Sequence, residues 1–262
     1  MIHTELLEHA CKLAILSAFI KKERPVSLIL LAPPESGKSE ILKKFAFVSS
    51  VKISSDFNIH HFADYCTEYQ MGLKRTLIFP DFLKVVKKKY SAQVNAMGYI
   101  NAITEEGWVG KLPLGQTVNS PIVGNVLTGL TEDELRDKRF KWTRLGFLSR
   151  FVPLSYKYKD ETKTLIRQYI KDRLYRKDDP YDFTVPKSEV DVMLPNAIAN
   201  KIEGIVLHIS EETNLLGFRL QRQLQTLALA NALSCQRTVV TEDDFKVIEA
   251  LSCFINFDFN PL

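Results

Sequence analysis

The chain has 262 residues, 45% of them apolar and 25% charged, with 35 basic against 31 acidic side chains and a formal net charge of +4. A mainly disordered chain would hold fewer apolar residues and a more lopsided charge, so that class is excluded. A chain this long buries enough surface to fold without disulfide staples, and its mild positive charge permits an anionic partner without requiring one.

Thr4 can cap a first helix running to about Lys22, where Pro25 blocks continuation. Glu5, Glu8 and His9 interrupt its apolar stretch, so it reads as an amphipathic helix and not as a signal peptide. Val26 to Leu31 is a buried strand ending in Ala-Pro-Pro, and a helix is expected from Gly37 to Phe47. Val51–Ser54 is a second strand, His60–Gly72 a helix, and Thr76–Phe79 a third strand stopped by Pro80. A long helical region spans Phe82 to Glu106, with a break near Tyr90 and Ser91. Trp108–Thr117 has the turn chemistry of a hairpin, Pro121–Thr128 reads as one further strand with Gly124 inside it, and Asp133–Phe147 as a charged helix. Phe151–Ser155 is an edge strand, because Pro153 has no N–H for a ladder.

Strands alternating with helices predict a parallel sheet sandwiched by helices. After Tyr158 helical patterns dominate: Glu161–Arg176, Pro195–Ile209, Phe218–Leu233 and Thr241–Phe254, with a polar connection at Lys177–Pro186. The expected organisation is an α/β domain over 1–158 and an all-helical domain over 159–262. Cys11, Cys66, Cys235 and Cys253 show no CxxC spacing, so a zinc knuckle is not expected and a reducing, cytoplasmic location is. No apolar run reaches the ~20 residues that span a bilayer.

The segment Ala32-Pro33-Pro34-Glu35-Ser36-Gly37-Lys38-Ser39 is a P-loop, G-x-x-x-x-G-K-[ST], with Ala in place of the first glycine. Its strand-before, helix-after setting is what the chemistry needs. Backbone N–H groups wrap an anion at a helix N-terminus, Gly37 lets the main chain approach, Lys38 reaches the β and γ oxygens of ATP, and Ser39 offers its hydroxyl to Mg²⁺. The second half of such a site is an acid at a nearby strand end. Asp81, after Thr76–Phe79 and Pro80, is the candidate for Mg²⁺ and water, although capping the next helix would also explain it. Phe82 or Pro80 stands where a second acid is usual, so hydrolysis is expected to be weak; Asp56 is the fallback acid.

In order along the chain, APPESGKS, TLIFPDF, INAITEEGW, VLTGLT, LGFLSRFVPLSY, FRLQRQLQTLALANAL and VTEDDF resemble an AAA+ ATPase, most similar to the minichromosome maintenance helicase branch and its MoxR-type relatives. The resemblance runs from about Val26 onward and implies a P-loop NTPase sheet followed by a small helical lid. It implies that Arg150, in Leu148-Ser149-Arg150-Phe151, reaches the γ-phosphate held by a neighbouring subunit. It further implies that Arg222, with Arg219 as alternative, is the lid arginine that senses nucleotide, and that Thr131 or Thr128 fills a position where the family has Asn. An N-terminal DNA-binding domain of the family is not represented.

The hairpin occupies the place of one that lines a central channel in such relatives, which makes Lys111 a candidate for DNA phosphates and Trp108 for base stacking, each with a plain structural alternative. Lys84, Lys87, Lys88 and Lys89 read as a solvated face, and His60-His61 has no partners at metal-ligand spacing. The expected function is an oligomeric ATP-binding ATPase, a ring or spiral and most often a hexamer in similar proteins, associated with DNA. A MoxR-like protein remodeller and a nucleotide-binding scaffold without turnover are the alternatives.

Overall fold

In the computed structural model, residues 4–86, 90–112, 117–174, 180–181, 183–213, 217–255 and 260–261 are described. The elements in order are α1 (Glu5–Ser17), β1 (Ser27–Leu31), α2 (Lys38–Lys43), β2 (Val51–Ile53), α3 (Ile59–Gln70), β3 (Thr76–Phe79), α4 (Leu83–Val86), α5 (Tyr90–Asn101), β4 (Trp108–Lys111), β5 (Thr117–Ile122), β6 (Asn125–Leu130), α6 (Glu132–Arg144), β7 (Phe151–Lys157), α7 (Asp160–Lys171), α8 (Asn196–Thr213), α9 (Phe218–Ser234), α10 (Glu242–Ser252) and β8 (Asn260–Pro261).

Five strands form a parallel sheet in the order β2-β3-β6-β1-β7, and the two-residue β8 adds to β7. β1 is central and buried along its whole length. Its alternate residues serve opposite faces, as a pleated strand must. Leu28 and Leu30 join a core with α1 and α2, whereas Ile29 and Leu31 join one with Phe62, Ile100 and Trp142. Helices therefore cover both faces, the arrangement expected of a fully buried parallel sheet. The expectation for Phe151–Ser155 holds in part: away from β1 the strand pairs, among the described residues, with no long strand, the two-residue β8 meeting it at Tyr156 and Lys157 and the Ser155 N–H donating to the Phe254 carbonyl at 2.8 Å. Helices α8, α9 and α10 contribute Ile202, Leu227 and Ile248 to the core cluster that holds α1.

Four expectations change. Helix α1 stops at Ser17, not near Lys22, and the Thr4 hydroxyl caps no N–H but donates to Glu8 Oε1 at 2.6 Å. Pro121–Thr128 is two strands, with β5 ending at Ile122 and β6 starting at Asn125. A Cβ on Gly124 would collide with the Tyr65 hydroxyl and stand 2.7 Å from the Arg75 carbonyl oxygen, so the chain turns here because it presses against β3's approach. The long helix after Phe82 is α4, α5 and a π-helical turn, Ala102–Glu106, closed by Gly107 donating to the Ala102 carbonyl at 2.8 Å. Helix α2 stops at Lys43, and Ala46 and Val48 continue in tighter bonds to Lys43 and Phe45. The hairpin is formed by β4 and β5, antiparallel, while its tip at 113–116 and Lys87, Lys88 and Lys89 lie outside the described residues. No described helix is long and apolar enough to cross a membrane.

One buried polar group ties the sheet to α1. Asn125, fully buried, donates through Nδ2 to the carbonyls of Ala14 (2.6 Å) and Val26 (2.8 Å), and its Oδ1 accepts from the Thr76 hydroxyl (2.7 Å). Ser17 completes the knot, donating to Ala14 (2.6 Å) and accepting from the Val26 N–H (2.8 Å). Substituting Asn125→Ala strands the Val26 carbonyl and the Thr76 hydroxyl in the interior. We expect a loss of about 3 kcal/mol in denaturant unfolding, and a loss under about 1 kcal/mol would contradict this account of the knot.

Candidate functional site

Parallel strands put all their C-terminal ends on one edge of the sheet, and the P-loop leaves β1 at that edge. Gly37 adopts φ 81°, a left-handed conformation that glycine takes at no steric cost, and it stands as N-cap of α2. Lys38 and Ser39 are therefore the first residues of a helix whose N–H groups face the loop. The Lys38 ammonium donates to the carbonyls of Ala32 and Pro33, both at 2.8 Å, and to the Ser36 hydroxyl at 3.2 Å. Burial pulls its pKa down to about 8, opposed by the carboxylates of Glu134 and Asp81. Tyr156 and Tyr158 donate from β7's end to the Ser36 carbonyl at 3.2 and 2.9 Å, so the loop is held from a strand on the far side of β1. Ala32 is fully buried, while Pro33, Pro34 and Glu35 are exposed, and Glu35 has φ 61°.

The end of β3 lies beside the P-loop. The Ser39 hydroxyl donates to the Pro80 carbonyl at 3.0 Å, which places the Asp81 turn next to the first turn of α2 although 41 residues separate them. Asp81 caps the start of α4, its Oδ1 accepting from the Leu83 N–H at 3.0 Å, as the capping reading expects. Phe82 is fully buried, with ring centroids 5.6 Å from Phe147 and 5.9 Å from Trp142, so the position after Asp81 belongs to the core. Asp56 is engaged locally: its Oδ1 accepts from the Phe57 N–H at 2.7 Å.

β6 runs between β1 and β3, and its end closes the cluster. A Cβ on Gly129 would stand 3.2 Å from Lys38 Cβ and 3.3 Å from the Pro80 oxygen, a tight fit that would make the lysine or the Pro80 carbonyl give by a few tenths of an ångström. Thr128 is fully buried and spends its hydroxyl on the Phe79 carbonyl at 2.7 Å. Thr131 caps α6 in a capping box: its hydroxyl accepts from the Glu134 N–H at 3.4 Å and its own N–H donates to Glu134 Oε2 at 3.0 Å. Sequence reasoning passed over Glu134, although T-x-x-E after a strand is a legible capping signal. It passed over Tyr156 and Tyr158 as well, which nothing local distinguishes from core aromatics.

The arginines stand at the opposite edge. β1 and β7 pair Ser27 with Phe151 and Leu31 with Ser155. Arg150 thus sits level with the start of β1, on the order of 15–20 Å from its own P-loop at ~3.3 Å per residue. Its side chain is tucked in, 10% exposed, with Nη1 donating to the Gly146 carbonyl and Nη2 3.8 Å from Glu106. Burial and the nearby Arg219 guanidinium lower its pKa, and Glu105 and Glu106 oppose this. Arg219 reaches the Ser149 hydroxyl at 2.6 Å and Glu105 at 3.5 Å; Arg222 pairs with Glu23 at 3.4 Å; Gln223 donates to the Arg150 carbonyl at 3.0 Å. The structure brings Lys38, Ser39, Asp81 and Thr131 together and gathers Arg150, Arg219 and Arg222 elsewhere.

Lys111 is exposed on β4, whereas Trp108 packs edge-on against Phe62 with centroids 5.1 Å apart, which commits its ring to the core. Asn58 caps α3 by accepting from the N–H groups of His60 and His61, and no described group of three His, Cys, Asp or Glu side chains is placed to hold a metal ion. A site that combines one hydroxyl and one carboxylate with phosphate oxygens and water fits Mg²⁺, which usually takes few protein ligands. Ser39 and Asp81 meet that description, joined through Pro80. No family model matches the chain, and no curated protein matches it.

The lowered Lys38 pKa makes stability depend on pH. Between about 8 and the ordinary lysine value of 10.5 the unfolded chain binds the proton and the folded chain does not, so stability rises with pH across that window and the burial penalty is fully present below it. Without added nucleotide, the melting temperature of the parent relative to Lys38→Met is expected to climb from pH 8 to pH 10. A flat difference would show that Lys38 is not held where we describe it.

Proposed function

We propose that this chain is a P-loop ATPase of the AAA+ type, with α7–α10 serving as its lid and Mg²⁺–ATP as its substrate. The observation that carries the reading is the Ser39 hydroxyl on the Pro80 carbonyl: it joins a P-loop helix to an acid-bearing strand end on the C-terminal edge of a parallel sheet. P-loop N–H groups, Gly37 and Lys38 would hold the phosphates; Ser39 and Asp81 would hold Mg²⁺. When bound, Mg²⁺ offsets charge on the β and γ oxygens. Lys38 leaves the carbonyls of Ala32 and Pro33 to meet those oxygens, a stronger partner for an ammonium than a neutral carbonyl.

Arg150 faces away from its own P-loop, so in this reading it serves a second copy, together with Arg219 and Arg222 on the same edge. A head-to-tail contact repeated by rotation closes a ring or runs on as a spiral. DNA association rests on Lys111 at the exposed hairpin, since the Trp108 ring is committed to the core.

Lys38→Ala is expected to weaken ATP binding at least 10²-fold while the chain stays folded, and unchanged affinity in a titration of the folded variant would end the P-loop reading. For the shared site, Lys38→Ala and Arg150→Ala subunits, each inactive alone, are mixed. Recovered ATPase activity supports donation between copies; a dead mixture, or a chain that stays monomeric with ATP, assigns Arg150 to the structure alone. The ATPase rate with and without single-stranded DNA then separates the clients: stimulation supports a DNA-associated motor, a flat rate a protein remodeller, and tight binding without turnover a scaffold.

A further inference from the structure

The proposed site has one acid where hydrolysis wants a second. Phe82 cannot supply it, being fully buried between Phe147 and Trp142, and Asp81 already gives Oδ1 to the Leu83 N–H. A further strand end at this edge is that of β6, which lies between β1 and β3. Three acids stand in the first turn of α6, just beyond it: Glu132, Asp133 and Glu134. Glu132 and Asp133 turn to Arg136, at 2.7 and 3.4 Å. Glu134 turns the other way. Its Oε2 reaches back to the Thr131 N–H at 3.0 Å, which fixes the carboxylate at the very end of β6, half-buried. Gly129, two residues before Thr131, is the residue that the Lys38 side chain runs against: a Cβ there would lie 3.2 Å from Lys38 Cβ. Of the acids around the lysine, Glu134 acts on it most strongly and Asp81 next. Among the described residues no hydrogen bond or ion pair engages Glu134 Oε1.

We propose that Glu134 is a catalytic residue of this site: its free carboxylate oxygen orients the attacking water and accepts its proton. The inference rests on the ATPase reading above. In the step itself the water oxygen forms a bond to the γ-phosphorus, the bond from that phosphorus to the β–γ bridging oxygen breaks, and ADP leaves with the bonding electron pair. The proton passes from the water to Glu134 and then to solvent, so ATP and water yield ADP, phosphate and one proton. Anchoring one carboxylate oxygen on a main-chain N–H holds the other in a fixed direction, which is what a general base needs. Asp81 remains the Mg²⁺ acid and Thr131 becomes the residue that positions Glu134.

Glu134→Gln tests this without removing the cap, because a glutamine oxygen accepts from the Thr131 N–H as well as a carboxylate does in a capping box. We expect an unchanged melting curve, ATP affinity within about threefold of the parent, and single-turnover hydrolysis lowered by 10²-fold or more. The loss is expected to fall on the hydrolysis step while ATP affinity is kept, a split that a purely structural residue would not give. Glu132→Gln, in the same helical turn but paired with Arg136, serves as the control and keeps the parent rate. Parent-like hydrolysis by Glu134→Gln overturns the assignment while the ATPase reading stands. A parent that binds ATP and never turns it over also overturns it, leaving the nucleotide site intact. A parent that binds no ATP overturns the reading on which the inference rests.

Discussion

Asn125 is fully buried, and its amide joins three segments that are distant in sequence: the last turn of α1, the residue before β1 and the first residue of β3. A buried amide that lost these partners would bear the full cost of its desolvation, so the arrangement is close to all-or-none. It holds the starting ends of β1, β3 and β6 level. Once the starts of parallel strands are level and their lengths are similar, their far ends must arrive together. β1, β3 and β6 have five, four and six residues, and the P-loop, Pro80-Asp81 and Leu130-Thr131 consequently meet at one edge. The charged chemistry at that edge depends on a neutral amide at the other.

The two edges carry opposite arrangements of charge. At the strand ends Lys38 lies near the carboxylates of Glu134 and Asp81 and at a helix N-terminus. At the strand starts Arg24, Arg150, Arg219 and Arg222 are distributed over Glu23, Glu105 and Glu106. The π-helical turn at Ala102–Glu106 is what aims Glu105 and Glu106 into this group, and Gly107 at φ 83° ends the turn before β4. Exposed pairs of this kind each contribute little, about 0–1 kcal/mol, so they exchange partners at small cost. Arg150 is the exception in being buried. Its Nε is enclosed without a hydrogen-bond partner, and its pKa is lowered, both marks of a guanidinium that would gain from an anion. In the proposed assembly that anion belongs to the neighbouring copy.

The sheet was legible in the sequence because its signals are local. Thr76–Phe79 is a run of four apolar or β-branched residues stopped by proline, and the strand has those bounds. The P-loop is a fixed string whose strand-before, helix-after setting could be checked along the chain. What was not legible depends on who stands opposite. Nothing within Pro121–Thr128 says that Gly124 will meet the Tyr65 hydroxyl and break the strand, since the Gly124–Tyr65 contact crosses from α3. Arg222 lies on the polar side of a helix by pattern, but that it pairs with Glu23 follows from the packing of α9 on α1. The side chain of Trp108 is available to a ligand by sequence alone; the α3 and α5 rings, Phe62 and Tyr99, lie against it in the fold.

Phe82 connects the core to the chemistry more tightly than an aromatic in place of an acid would suggest. Its ring stacks on Phe147 and meets Trp142 edge-on, and Trp142 meets Phe147 in turn at 5.4 Å. Aromatic pairs of this geometry contribute about 0.5–1.5 kcal/mol each beyond the area they bury. Trp142 belongs to α6, and Phe147 lies just past that helix, so the triad fixes the far end of α6 against the turn that bears Asp81. The near end is fixed by the Thr131–Glu134 capping box at the end of β6. A helix held at both ends has little freedom to rotate about its axis, and the direction of Glu134 is set by that rotation. A carboxylate at position 82 would unmake the aromatic triad and loosen the helix that carries Glu134. The Phe82 ring therefore steadies the helix whose first turn carries Glu134.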